Sequence, residues 1–326
     1  MQHIETTDRE ENKPLVSVAI TAYNHAKLLP KALDSVLQQR TDFRFEIALG
    51  DDCSTDDTIA VARSYQTRYP EIIRIFERTK NVGTQRNYYD LFENCRGKYI
   101  AWLDADDYWT DPEKLAIQAE VLENDPTLSI CAHFVQWVTR DGTLIRPKYP
   151  ELGPGRHGTP AILQKNFIPS PAVMFRNGLQ RELPQWYFDV PPMTDWPLWI
   201  LASLSGDIYM IDRIMADYTL NTTSSFWGKG DLFWREMNAD LYERIEKELP
   251  KQFQQQVRGR KGEEYREMAY ILRQEGKFVE SRQAAMKSFF ATAPTIDVRP
   301  KSKALTASLI REAQWRLKGS PQAAQR

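Results

Sequence analysis

Apolar runs along the first third of the chain alternate with segments whose apolar residues recur every three or four positions. "LVSVAIT" (15–21) is a β-branched run, and Leu29, Ala32, Leu33, Val36 and Leu37 follow at helical spacing, with Pro30 acceptable in a first turn. "FRFEIALG" (43–50) alternates Phe43, Phe45, Ile47 and Leu49, as a strand does. Ser54 with Asp57 reads as a capping box opening a helix to about Tyr69. "IIRIF" (72–76) predicts a third strand, Tyr88, Leu91, Phe92 and Cys95 a third helix, and "KYIAWL" (98–103) a fourth strand. Asp111 before Pro112 marks the N-cap and first position of another helix. Four strands separated by helices imply an α/β fold with a doubly wound, mostly parallel sheet.

The pattern changes beyond residue 127. "LSICAHFVQWVTRDGTLI" predicts a strand, an Asp141-Gly142 turn and a return strand. Residues 147–192 are rich in Pro and Gly and read as long loops. After about Ser224 the chain is charged and helical, with two helices broken near Gly276 that resemble one tetratricopeptide hairpin. The predicted organisation is a polar tail (1–13), a domain over 14–227 with halves 14–125 and 126–227, and a C-terminal helical extension (228–326).

Composition narrows the chemistry. Lys and Arg number 43 against 44 Asp and Glu, a formal net charge of −1, which excludes nucleic acid as a partner held by bulk charge. No apolar run approaches the length of a membrane span, and the opening "MQHIETTDREENKP" has neither signal nor transit character. Cys53, Cys95 and Cys131 are widely spaced, as in a reduced cytoplasmic protein. The four histidines are scattered, so a bound metal would be held by carboxylates, which favours Mg²⁺ or Mn²⁺.

Tyr23-Asn24, Asp51-Asp52, Asn81 and Asp104 to Asp107 all follow predicted strands, where open α/β sheets bind ligands. Asp104, Asp106 and Asp107 repel one another unless a partner holds them, and a divalent cation bridged to a diphosphate is such a partner. A solvated acidic loop is the plain alternative. A carboxylate of the Asp51-Asp52 pair can accept the imide N–H of uracil or thymine while Tyr23 stacks on the ring. Its plain alternative is helix capping.

"VSVAITAYNHAKLLPKALDSVLQQ", "EIALGDDCSTDDT", "NVGTQRN" and "GKYIAWLDADDYWTDPEKL" resemble successive blocks of the family 2 glycosyltransferases of GT-A fold. The resemblance is close over 14–125 and thinner to about 227. It implies an inverting, metal-dependent hexosyltransferase that moves a sugar from a nucleoside diphosphate donor, a uridine one, to a glycan or lipid-linked glycan in surface polysaccharide synthesis. By position it implies that Thr21 and Tyr23 line the base and Asp52 bonds it. Asn81 and Arg86 would support the nucleotide. Asp104 and Asp106 would form a DxD motif, with Asp106 and Asp107 at the metal. Asp195 in "PPMTDWPLWILASL" would be the general base, its plain alternative being an N-cap. Trp196 is a candidate acceptor platform, although core packing competes. Where relatives carry Tyr-Arg-x-His, this chain has Tyr218, Thr219 and Asn221, an amide in place of the imidazole.

From Arg299 onward there are seven Lys/Arg and one acid, with Leu305, Leu309, Ala313 and Leu317 along one side. That pattern suits peripheral attachment to an anionic inner leaflet or docking on the catalytic domain. Two other functions fit parts of the pattern. One is a receiver-like phosphoacceptor module built on Asp51-Asp52 and Asp104, and the other is a sugar-nucleotide-binding protein without turnover.

Overall fold

The computed structural model describes residues 13–181, 183–190, 193, 195–220, 228–292 and 307. The chain divides into two compact units, Met1–Ser224 and Ser225–Arg326.

In the first unit β1 (Val16–Ala22), α1 (Leu29–Leu37), β2 (Phe45–Asp51), α2 (Thr58–Arg68), β3 (Ile73–Glu77), α3 (Thr84–Glu93) and β4 (Tyr99–Asp104) alternate as the periodicity predicts. β1 is buried along its whole length, the state of a central parallel strand covered on both faces. α1 buries Leu29, Ala32, Leu33 and Val36, the residues that share one helical face. There follow β5 (Tyr108–Trp109), α4 (Lys114–Asn124), β6 (Leu128–Val138), β7 (Leu144–Tyr149), β8 (Gly155–His157) and α5 (Thr159–Gln164). A 3-10 turn (Ser170–Ala172), β9 (Met174–Arg176), α6 (Gln185–Phe188), α7 (Asp195–Ala202) and β10 (Asp207–Thr219) complete the unit.

One sheet runs in the order β3-β2-β1-β4-β9-β6-β10-β5, with β7 on β6 and β8 on β10. β3, β2, β1 and β4 are mutually parallel, as are β6 and β10. β9 is inserted antiparallel between β4 and β6. The Asp141-Gly142 turn joins β6 and β7, Gly142 taking the positive φ of 87° that favours glycine.

Two expected helix starts are corrected. Ser54 does not cap: α2 begins at Thr58 after Asp57, and the Ser54 hydroxyl instead donates to Asp51. Asp111 accepts the Glu113 N–H at 3.0 Å and pairs with Arg213, so its cap serves the turn before α4. The expected loops at 147–192 also contain β7's end, β8, α5, β9 and α6.

At the sheet edge remote from those strand ends, Gly97 is pressed against β1. A Cβ there would lie 2.5 Å from Ser17 N and 2.7 Å from Val16 C, both backbone atoms that cannot step aside. Gly97→Ala is therefore expected to destabilise the unit by about 3 kcal/mol. Thermal unfolding checks it, and an unchanged midpoint contradicts it.

The second unit contains α8 (Asp231–Ile245), α9 (Lys251–Gln274) and α10 (Phe278–Thr292). The break between α9 and α10 falls at Gly276, whose φ is 77°. Lys277 N returns to Leu272 O there, a glycine-ended C-cap. Among the described residues no helix is long and apolar enough to cross a membrane. Apart from residue 307, the basic stretch from Arg299 lies outside the described residues.

Candidate active site

Parallel register brings the acid-bearing strand ends together. Thr21 on β1 is level with Gly50 on β2 and Asp104 on β4. Asp52 N donates to Ala22 O and Ala105 N to Thr21 O, both at 3.0 Å, so the loops beyond β2 and β4 leave the same edge. Only β1 separates β2 from β4, which at ordinary strand spacing is about 10 Å.

On the β2 side both oxygens of buried Asp52 are engaged by the loop after β3. Oδ1 accepts Val82 N–H at 2.8 Å and Oδ2 accepts Gly83 N–H at 3.0 Å. Asn81 donates to the Asp52 carbonyl at 3.2 Å, and Gly83 takes a φ of 85°. Each Asp52 oxygen retains a second lone pair for a further donor. Tyr23, just beyond β1, is 45% exposed. Arg86 is exposed on α3 and pairs with Asp90 at 2.9 Å.

On the β4 side the Asp104 carboxylate is ringed by hydroxyls from three distant segments. Thr21 donates at 3.1 Å, Ser170 at 2.6 Å, and Tyr88 donates as well. Burial first, then the charges of Asp106 and Asp195, push the Asp104 carboxyl up to about 7 against the pull of these hydroxyls. Asp106 keeps 15% of its side chain exposed, 4.0 Å from His25 Nε2. Asp107 is buried and accepts the Thr219 N–H at 2.7 Å. Burial, then Asp106 and Asp104, raise its carboxyl well above the usual range.

Asp195 opens α7. Its Oδ2 accepts Asn166 Nδ2–H at 2.8 Å and its Oδ1 accepts Trp196 N–H at 2.7 Å. Burial raises its carboxyl too. Its charge bears on Asp104, Tyr149, Tyr187 and Tyr218, raising the proton affinity of each. Tyr218 is held protonated by burial and by the charges of Asp107, Asp104, Asp195 and Asp106.

The geometry changes one assignment. Trp196 is only 5% exposed and gives its indole N–H to Ile162 O at 2.7 Å, so it presents no face for a sugar. Asn221 lies outside the described residues. Tyr88, Ser170 and Asn166 enter the site without a motif; the one visible signal is a serine between two prolines in "IPSPA".

The donors near Asp106 and Asp107 are mainly carboxylate oxygens, with the His25 imidazole 4.0 Å from Asp106, and the acids carry mutually repelling charge that a divalent cation relieves. Among the described residues no three His, Cys, Asp or Glu side chains gather tightly enough to enclose a metal alone. One or two carboxylates completed by substrate phosphates is the usual arrangement for Mg²⁺ at nucleotides, and these residues fit it.

The description of glycosyl transferase family 2 matches residues 17–180, half of the 326-residue chain. The chain belongs to glycosyl transferase family 2. Both acid groups fall within the match, so the receiver-module reading is set aside. Among relatives of this family 2 member, an uncharacterized protein of Mycobacterium tuberculosis is 34% identical over 207 residues, 62% of this chain and 58% of that one. The chain thus spans less than two thirds of the mycobacterial relative's length. Chondroitin synthase of Escherichia coli is 32% identical over 136 residues, 42% of this chain and 19% of that one. Among solved structures, S. aureus TarS 1–349 in complex with UDP-GlcNAc matches with a TM-score of 0.65 at 18% identity, over 90% of this chain and 88% of that one. The mannosyltransferase PcManGT of Pyrobaculum calidifontis, in complex with GDP-Man and Mn²⁺, gives a TM-score of 0.55 at 18% identity, over 95% and 84%. The fold is GT-A.

Proposed function

We propose that this family 2 glycosyl transferase moves one hexose, with inversion, from a uridine diphosphate donor to a hydroxyl of a glycan or lipid-linked glycan in surface polysaccharide synthesis. The observation that carries the reading is that one short segment bonds both sides of the chemistry, Asn166 donating to Asp195 and Ser170 to Asp104, with both carboxyls raised in proton affinity by burial. Thr21 and Tyr23 line the base, Asp52 bonds it, and Asp104 and Asp106 form the DxD motif, with Asp106 near the ribose. Asn81 shapes the base loop through Asp52, and Arg86 borders it from α3. Asp106 and Asp107 would hold Mg²⁺ or Mn²⁺, which when bound neutralises the charge of the departing diphosphate.

Asp195 takes the proton of the acceptor hydroxyl as the new bond forms. A buried carboxylate is a stronger base than a solvated one, which suits this task. One base and one displacement invert the anomeric centre. The uridine preference draws support from the solved relatives with UDP and UDP-GlcNAc, and the metal from the mannosyltransferase with Mn²⁺. The glycan acceptor draws support from the relative named chondroitin synthase. Work at the cytoplasmic face of a membrane suits such acceptors.

A thermal-shift panel of UDP-, dTDP- and GDP-sugars with and without Mn²⁺ tests the reading. A UDP-sugar at 100 times its Kd is expected to stabilise the protein by about 2.7 kcal/mol, and only with metal. Released UDP in the same wells distinguishes turnover from binding alone. No response to any nucleotide sugar contradicts the proposal.

A further inference from the structure

One short segment touches both halves of the chemistry. Asn166 and Ser170 lie four residues apart between α5 and β9. Asn166 Nδ2 donates to Asp195 at 2.8 Å, and Ser170 Oγ donates to Asp104 at 2.6 Å. The Asn166 amide is fixed in orientation, because its Oδ1 accepts Ile168 N–H at 3.1 Å. Turning the amide over would set N–H against N–H on one side and oxygen against carboxylate on the other. The Asn166 carbonyl also accepts the Tyr149 hydroxyl at 3.2 Å.

The segment is pinned from below. Phe167 and Ile168 are buried. Trp109 Nε1 donates to Pro171 O at 3.0 Å, and Gln118 Nε2 to Ala172 O at 2.9 Å. Gln118 Oε1 accepts from the fully buried Lys114 Nζ at 2.6 Å, which also sits 4.0 Å above the Trp109 ring. Neither end of 166–172 can shift without breaking these buried bonds. One loop thus bonds both the proposed base and the donor-side acid.

We infer that Asn166–Ala172 is a positioning strap, in which Asn166 orients the Asp195 carboxylate and Ser170 orients Asp104; the inference rests on the proposed function. Asn166 and Ser170 are positioning residues, since each acts through its carboxylate. The titratable groups whose environment includes Asp195 come from separate elements: Asp104 on β4, Tyr149 on β7, Tyr187 on α6 and Tyr218 on β10. Asn166 is the side-chain donor to the ionised form of Asp195.

The test is a ¹³C titration of Asp carboxyl carbons in the full chain without added metal, with the Asp195 signal assigned by its loss in Asp195→Asn. Removing a donor to the charged form raises the midpoint, so Asn166→Ala is expected about one pH unit above the parent. Asn166→Asp keeps the shape but adds like charge, and is expected higher still. This order distinguishes orientation by a donor from simple packing. In the Mn²⁺ thermal-shift assay with UDP-GlcNAc, Ser170→Ala is expected to lose donor stabilisation while Ser170→Thr, which keeps the hydroxyl, retains it. An unchanged Asp195 midpoint in both Asn166 variants, or full donor stabilisation in Ser170→Ala, overturns the strap. Failure of the catalytic reading has a separate signature: full turnover in Asp195→Asn.

Discussion

Asp195→Asn is expected to bind donor as the parent does and to turn over roughly 10²-fold or more slowly. The substitution keeps the side chain's shape, and among the described residues it is Asn166 and the Trp196 N–H, neither on the donor side, that hydrogen-bond it. Stability should hold at neutral pH. A carboxyl whose proton affinity is raised on folding contributes stability at low pH that is lost as pH rises through its folded value, so a neutral amide removes a strain present at pH 7. The same shift predicts the parent's pH profile: turnover falls as pH drops, with its acid limb above the ordinary carboxylate range because the base must be ionised. Initial rates of UDP release from pH 4 to 9, beside the donor thermal shift, check both statements. Turnover near the parent's would place the base elsewhere.

Asp107→Ala is expected to abolish the metal-dependent part of donor stabilisation, up to the whole of about 2.7 kcal/mol at 100 times Kd. Two effects act on the apo protein in opposite directions. Like-charge repulsion with Asp106 and Asp104 is relieved, while the Thr219 N–H loses its acceptor, at a cost of about 1–3 kcal/mol. The apo midpoint therefore moves less than the midpoint with Mn²⁺ and UDP-GlcNAc. If parent and variant respond equally to that pair, Asp107 has no part in holding the cation.

Much of this is legible in the sequence. β1 to β4 follow the predicted runs within one or two residues: β1, β2 and β4 because buried parallel strands are largely apolar stretches whose ends are marked by abrupt polarity, and β3, half-buried at the sheet's edge, because of its short isoleucine-rich run. The acids at the ends of β2 and β4 could be placed on one edge by topology alone. Three-residue strands such as β8 and β9 are too short to show any period, and the prolines around them read as loop. Ser54 was misread because its hydroxyl has a nonlocal choice: it accepts from Asn24 N at 2.9 Å as well as donating to Asp51. Trp196 looked available because a tryptophan beside a candidate base is equally compatible with a sugar face and with the core, and only burial decides. Asn166 and Ser170 have no local signature, since what matters is the carboxylate each one meets 29 and 66 residues away.

The bonds that close the pocket join residues far apart in the chain: Thr21 to Asp104 across 83 positions, and Asp107 to Thr219 across 112. On the ribosome, the acids of β4 emerge long before β10 exists to enclose them. Until then they remain hydrated, ordinary carboxylates. A nascent chain halted ahead of Thr219 would carry every recognisable motif of its family yet lack the enclosure that sets their proton affinities.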